Sequence, residues 1–129
     1  MTSKEEVRIL RIELTDIPWL SLNQRMHFRE RSAKTSKIRA EACKAAKATP
    51  FFPFGRVRVR VIFHAPDKRR RDFVSGNWLP TIKACLDGLT DAKVWPDDND
   101  RVITEMCLVT GAVSPKKARL VIQVIEDSV

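Results

Sequence analysis

A strict alternation of charged and apolar residues near the middle of the chain is the feature that most constrains the fold. Between Arg56 and His64, three arginines alternate with three valines and a phenylalanine. A period of two is typical of a β-strand that has one face buried and the other in water. The segment therefore predicts a strand with an uncovered basic face, which suits the edge of a DNA-binding surface.

The other segments predict two helices and three further strands. Residues 32–48 are rich in Ala, Lys, Arg and Glu and contain no Gly or Pro, which favours a helix. A second helix is predicted from Pro80 to Ala92, with Asn77 as its candidate cap. Strands are predicted at Val7–Leu14, Arg101–Val109 and Ala118–Ile125. The order β-α-β-α-β-β over residues 1–129 indicates a single α+β domain with two main helices and a mixed sheet.

The charge distribution favours a polyanionic partner. The composition, 43% hydrophobic and 31% charged, is that of a globular protein, and the formal net charge is +8. The positive charge is clustered, because residues 25–47 carry eight Lys or Arg against two Glu, and residues 68–71 are four consecutive cations. Clustered cations are what contacts to nucleic-acid phosphates require.

The cysteines and the hydropathy pattern exclude two other classes of protein. Cys43, Cys85 and Cys107 are widely spaced and form no Cys-x-x-Cys pair, so we interpret them as small buried hydrophobes rather than zinc ligands. Residues 1–8 are charged and polar, unlike a secretory signal, and no apolar run approaches the ~20 residues of a membrane span. We expect a reduced, cytoplasmic protein with no membrane partner.

A loop rich in phenylalanine follows the first predicted helix. The segment Pro50–Gly55 contains three Phe and two Pro. We favour the interpretation that these rings cover an edge of the core or fill a subunit interface. Stacking on DNA bases is the alternative.

Residues 64–98 combine cations and carboxylates in a pattern that suits phosphodiester chemistry. The charged side chains that form this pattern are Lys68, Arg69, Arg70, Arg71, Asp72, Lys83, Asp87, Asp97 and Asp98. The cations would neutralise phosphates, and carboxylates are the hard oxygen ligands that Mg²⁺ prefers. Such a metal activates water for in-line displacement at phosphorus. Taken alone, Lys83 and Asp87 would be interpreted as an ordinary ion pair on a helix surface.

Four elements of this region together resemble a known family. They are HAPDKRRRD at 64–72, Asn77, KACLDGLTDA at 83–92 and VWPDD at 94–98. Together they resemble the RusA-type Holliday junction resolvases, which are small metal-dependent endodeoxyribonucleases, and the likeness extends loosely from about Pro18 onward. The resemblance implies a homodimer that cuts four-way junctions and related branched DNA in recombination and repair, in a bacterial or phage-infected cell. It also implies Mg²⁺ as the cofactor, with Mn²⁺ as a substitute.

The resemblance also implies roles for individual residues. Asp72 and Asp98 would bind the metal, with Asp97 and Asp87 as further candidates, and Lys83 would be the catalytic cation that stabilises charge in the transition state. Asn23 falls on the family's Pro-Ser-Asn-Asn loop. The residues expected to contact DNA are Lys68, Arg69, Arg70, Arg71, Asn23, Arg25, Arg29 and Asn77.

One departure from the family pattern concerns a second carboxylate. The family has Asp-x-Asp-Asn, whereas here Asp72 and Asn77 are separated by four residues, two more than in the family, and Gly76 stands where the acid is expected. The nearest side-chain oxygens, on Ser75 and Asn77, are neutral. We therefore expect weaker metal affinity, a relaxed choice of metal, or a DNA-binding protein with feeble cleavage.

A basic nucleic-acid-binding module without catalysis is the alternative function. It accounts for the net charge and for the arginine-rich strand. It does not account for Asp97 and Asp98, because carboxylates repel phosphate unless a metal intervenes.

Overall fold

The elements of the structure follow the predicted order. The computed structural model describes residues 7–15, 17–22 and 24–127. Its elements are β1 (Ile9–Leu14), α1 (Phe28–Lys47), β2 (Val57–His64), α2 (Leu79–Asp91), β3 (Ile103–Thr110) and β4 (Arg119–Glu126). The predicted α+β class, with two helices and a mixed sheet, is confirmed.

The sheet has the strand order β1-β4-β2-β3. β4 is antiparallel to both of its neighbours, whereas β2 and β3 run parallel. β3 and β4 are therefore consecutive in the chain but are separated in the sheet by β2. This topology makes the strand with the arginine–valine alternation a central strand and places β3 at an edge.

The alternation in β2 divides its residues between core and solvent, as predicted. Val57, Val59, Val61 and Phe63 are buried, and Arg58 and Arg60 are exposed. The buried side chains join one hydrophobic cluster with those of β1, β4 and both helices. The arginine-bearing face of the sheet is left in water.

The two helices approach each other closely at a glycine. A Cβ atom added to Gly88 of α2 would lie 2.8 Å from the Cβ of Ala42 and 3.0 Å from the backbone nitrogen of Cys43. Beside this contact, Arg39 of α1 forms two hydrogen bonds with Asp91, at 2.6 and 2.8 Å. Small side chains on α1 and the glycine on α2 thus allow the two backbones to pack tightly.

Both helices begin at positions that differ from the prediction. α1 starts four residues early because His27 caps it, with its Nδ1 accepting a hydrogen bond from the Arg29 N–H at 3.1 Å. The prediction that Asn77 caps α2 is wrong, since the N-cap is Trp78. Turns lead directly into α2: the Leu79 N–H already donates to the Gly76 carbonyl.

The three cysteines differ in environment. Cys85 is buried, and this burial raises the pKa of its thiol to about 12. Cys43 is half-buried, and Cys107 on β3 is exposed. The prediction of a buried hydrophobe is therefore confirmed for Cys85 and wrong for Cys107, because the outer side of the edge strand is uncovered. Over the described part of the chain, neither helix is long and apolar enough to cross a bilayer.

Candidate functional site

The charged residues of α2 meet a carboxylate from the turn that follows the helix. The Lys83 ammonium lies 3.0 Å from an Asp87 carboxylate oxygen and 2.5 Å from one of Asp98. Lys83 and Asp87 are one helical turn apart, as predicted. The contact with Asp98 makes this more than an ordinary ion pair within a helix, because one ammonium holds a carboxylate of α2 and a carboxylate of the turn after it.

Hydrophobic anchoring brings Asp98 back to the helix. After α2 the chain reverses at Lys93, whose φ of 65° is in the left-handed region. Val94 and Trp95 are then buried, and the indole N–H of Trp95 donates to the Thr90 hydroxyl at 2.7 Å. The apolar part of the VWPDD turn thus inserts into the core and presents its acidic end to α2.

The Asp97 carboxylate stabilises this turn through hydrogen bonds to the two residues that follow it. One of its carboxylate oxygens accepts a hydrogen bond from the Asp98 N–H at 2.8 Å, and the other accepts from the Asn99 side chain at 3.2 Å. Its carboxylate is exposed and directly follows the buried segment in sequence. The turn therefore carries two adjacent carboxylates, one of which is bonded to Lys83.

The Lys83 ammonium and the Asp98 carboxylate shift each other's pKa values. The Asp98 side chain is only 13% exposed, and this burial raises its pKa, but the hydrogen bond from Lys83 outweighs the effect and leaves the pKa below the ordinary value. The hydrogen bonds to Asp98 and Asp87 in turn raise the pKa of Lys83. Since Lys83 is 62% exposed, its charge is accessible to a ligand from solvent.

Asp67 organises the cation run that precedes α2. Its carboxylate lies 2.9 Å from the Arg71 guanidinium and accepts a hydrogen bond from the Arg69 N–H at 3.0 Å. Together these contacts lower its pKa to about 2. The Arg71 side chain is only 17% exposed and also donates to the Arg69 carbonyl. Of the four predicted phosphate contacts, Lys68, Arg69 and Arg70 face solvent, whereas Arg71 braces the loop.

Asp72 lies in a separate cleft at the end of the cation run. It adopts a φ of 55° and accepts a hydrogen bond from Arg70 at 2.7 Å. The cleft, of about 350 Å³, is lined by Leu22, Arg70, Asp72, Ser75, Gly76 and Asn77. The neutral oxygens predicted near Asp72 are therefore present, and buried Gly76 has a φ of 92°.

The structure unites only part of the predicted metal-binding set. Asp98 is bonded to Lys83, whereas Asp72 is bonded to Arg70. Within residues 7–15, 17–22 and 24–127, no group of three or more His, Cys, Asp or Glu side chains is placed to hold a metal ion. Asp87 and Asp98 do direct oxygens at a common cation, the Lys83 ammonium, and hard oxygen donors of this kind fit Mg²⁺. The participation of Asp72 in a metal site stays a prediction.

The connector between β1 and α1 is attached to the start of α2. The buried Thr81 hydroxyl donates to the Leu20 carbonyl and accepts from the Leu20 N–H, both at 2.8 Å. The Leu22 N–H donates to the Asn77 carbonyl, also at 2.8 Å. Sequence reasoning did not identify Thr81, because its bonding partner lies 61 residues away.

Two other predicted DNA contacts, Arg25 and Arg29, are both exposed around the start of α1. Arg25 is exposed just before α1, and Arg29 is exposed in its first turn. Asn23, by contrast, lies outside the described residues. The adjacent His27 and Phe28 are also exposed, and sequence reasoning did not assign Phe28 a function although two rings in succession in a polar segment are a visible signal.

Comparison with known proteins leaves the family unassigned. No protein-family model and no curated protein matches the chain. The resemblance to the junction resolvases therefore stays a prediction, and the functional argument depends on the residues themselves.

Proposed function

We propose that this protein is a metal-dependent endodeoxyribonuclease that cuts four-way junctions and related branched DNA in recombination and repair. The observation that carries the proposal is the Lys83 ammonium held between Asp87 and Asp98 on the surface of a chain with a net charge of +8. A cation beside carboxylates suits phosphodiester cleavage, because one binds the phosphate and the others bind a divalent metal.

Lys83 is the group that would stabilise negative charge on the phosphate. Its raised pKa keeps it protonated at neutral pH, and its exposure allows an approaching phosphate oxygen to accept a hydrogen bond from it. Asp87 and Asp98 hold the ammonium in position, which limits the reorganisation needed when charge develops.

The carboxylates supply the ligands for Mg²⁺ in this proposal. Asp98, with Asp97 or Asp87, would hold the metal, and Asp72 would be a further ligand. When bound, Mg²⁺ neutralises phosphate charge and lowers the pKa of a coordinated water. The half-buried Asp98 keeps its negative charge because the Lys83 ammonium offsets the cost of burial.

Exposed cations would hold the DNA backbone. Lys68, Arg69 and Arg70 extend into water beside the Asp72 cleft, and Arg70 itself lines that cleft. Arg58 and Arg60 are exposed on the open face of the sheet. Each contact with a phosphate would displace a condensed counterion, which makes binding stronger at low salt.

A homodimer belongs to the same proposal. β3 is an edge strand of eight residues with one charged side chain, Glu105, and exposed Met106 and Cys107. An exposed, weakly charged edge is a template for pairing with another strand. Two copies related by a two-fold axis would also supply the two active sites that symmetric cutting of a junction requires.

A DNA-binding module without catalysis is the second candidate. The observation that favours it is that Asp98 and Asp72 each already have an internal cation, Lys83 and Arg70, respectively. Carboxylates neutralised in this way do not need a metal to approach phosphate. In this case binding would not depend on divalent ions.

Cleavage of a synthetic four-way junction separates the two candidates. The purified protein is incubated with the labelled junction in Mg²⁺, in Mn²⁺ and in chelator, with linear duplex, fork and flap DNA as controls. The nuclease proposal expects cutting of branched substrates that stops in chelator. Cutting that persists in chelator would exclude the metal mechanism, and binding without cutting in any divalent ion would establish the binding module.

A further inference from the structure

Phe28, the first residue of α1, presents an aromatic ring to solvent. Its residue surface is 70% exposed. The ring is stacked on the imidazole of His27, with a centroid distance of 4.6 Å and an interplanar angle of 30°. The two rings therefore form a short aromatic stack, the aromatic surface, in which the phenylalanine is largely open to solvent.

The capping interaction of α1 holds this aromatic surface in place. The imidazole Nδ1 of His27 accepts a hydrogen bond from the Arg29 N–H, so its ring orientation is tied to the helix start. The Arg29 guanidinium carbon lies over the Phe28 ring, 5.9 Å from its centroid. The stack is thus preorganised, which lowers the entropic cost of binding a flat ligand, and it carries a cation that can contact the same ligand.

The aromatic surface is connected to the Asp72 cleft through the connector. Arg31, in the first turn of α1, donates to the carbonyls of Ser21 and Gln24. The next residue after Ser21 is Leu22, which lines the cleft with Asp72 and whose N–H donates to the Asn77 carbonyl. A single hydrogen-bonded segment therefore joins the start of α1 to the loop that bears the exposed cations.

We propose that His27 and Phe28 form a stacking platform for an unpaired nucleobase of branched or single-stranded DNA. The proposal rests on the proposed function, because it requires DNA as the ligand. A nucleobase fits this surface since it has a π face of matching shape, and the exposed Arg25 and Arg29 can hold its phosphates. In an intact duplex each base is already stacked on its neighbours, so the platform would distinguish branched from linear DNA.

Binding in chelator tests this platform without any requirement for cleavage. The affinities of the protein for a single-stranded oligonucleotide, a fork and a linear duplex are measured, together with the fluorescence of a 2-aminopurine placed at an unpaired position. Phe28→Ala is expected to weaken binding to the single strand and the fork about ten-fold. It should leave duplex affinity and the salt dependence unchanged and reduce the quenching of 2-aminopurine.

Three further variants sharpen the test. Phe52→Ala is the matched control, because Phe52 is an 81% exposed phenylalanine in the loop before β2, and its removal should change nothing. Phe28→Trp should retain the affinity, since a larger ring also stacks. Arg29→Ala should instead reduce the slope of log affinity against log salt by about 0.7 on single strands.

The outcomes separate this inference from the proposed function. Unchanged single-strand affinity of Phe28→Ala, in a protein that still cuts junctions, would overturn the platform and leave the nuclease standing. An equal loss on duplex and single strand would also overturn it, because base stacking cannot act on a paired helix. A natural protein that binds none of the three DNAs would overturn the platform, whereas the nuclease is decided separately by cleavage of the four-way junction.

Discussion

The Lys83 ammonium donates a hydrogen bond to Asp98 at 2.5 Å, although 15 residues separate the two along the chain. Their contact closes a loop that runs from the exposed face of α2 through the buried Trp95 and back. It converts an ion pair within a helix into a cluster of three charges. The proposed catalytic cation and the proposed metal ligand thus hold each other in position, and the first two predictions separate their roles.

Asp98→Asn should abolish cleavage while retaining or strengthening junction binding. The substitution removes a metal ligand, and it also removes a negative charge that repels phosphate. Cleavage rates and junction affinities are measured on the same preparations. Asp91→Asn is the matched control, since Asp91 also pairs with a cation, Arg39, but lies outside the cluster. A folded Asp98→Asn protein that cuts at the natural rate would show that Asp98 is only a surface residue.

Lys83→Met should lower stability by about 1 kcal/mol or less at neutral pH, because Lys83 is mostly exposed and the pair is screened. The pKa of Asp98 is lowered in the folded state, so its contribution is present above the unfolded value near 4 and is lost as the pH falls through the folded value. The pKa of Lys83 is raised, so its contribution is lost as the pH rises through a value above 10.5.

The stability difference between the natural protein and Lys83→Met should therefore have a plateau between about pH 4 and pH 10 and vanish on both sides. Denaturant unfolding across this range measures it. Lys37→Met, at an exposed position of α1, should show no such profile. A difference that is independent of pH would mean that lost packing of the lysine stem, and not its charge, is responsible.

The three arginines of the cation run should separate into two classes. Arg69→Ala and Arg70→Ala should each reduce the salt slope of duplex binding by about 0.9, because each exposed guanidinium that contacts a phosphate releases a counterion. Arg71→Ala should instead lower the melting temperature, because its guanidinium braces Asp67 and the Arg69 carbonyl. Unchanged salt slopes in the first two variants would mean that this run does not contact DNA.

A carboxylate added at Ser75 should strengthen metal binding. A carboxylate added at Gly76, where the resolvase pattern has one, should instead destabilise the loop. Gly76 has a φ of 92°, and a Cβ atom there would lie 3.3 Å from a Leu79 methyl, so Gly76→Asp is expected to cost about 1 kcal/mol or more. Ser75 is exposed and lines the same cleft as Asp72. Ser75→Asp should therefore lower the Mg²⁺ concentration for half-maximal cutting.

A metal titration of Ser75→Asp and Gly76→Asp, with thermal unfolding in parallel, measures the metal requirement and the stability of each variant. If Gly76→Asp were as stable as the natural protein and needed less metal, the positive φ would not constrain the loop. If Ser75→Asp were stable but needed as much metal as the natural protein, the cleft would not contribute to the metal site.

Gly88→Ala should destabilise the fold by roughly 1–3 kcal/mol, since the added methyl group would force α1 and α2 apart. Gly55→Ala is the matched control, because a Cβ atom there meets no atom within 4 Å. Denaturant midpoints of the two variants measure the difference. Equal stability of both variants would contradict the close helix packing.

Local patterns determined most of the secondary structure of this protein. The alternation in β2 predicts both its strand and its buried face, because side chains of a strand point to opposite sides in turn. The composition of α1 and the Pro80 signal of α2 likewise act over a few residues. The clustering of cations beside carboxylates is also a property of the sequence, and it is the origin of the functional hypothesis.

Only the tertiary structure decided which of these charges meet. Burial of Trp95 returns Asp98 to Lys83, while the pairing of Arg71 with Asp67 turns one predicted phosphate contact inward. The strand order is equally invisible in local periodicity. The physical reason is that the strand order and the Lys83–Asp98 contact depend on packing between segments distant in the chain, and a neighbourhood of a few residues carries no record of those contacts.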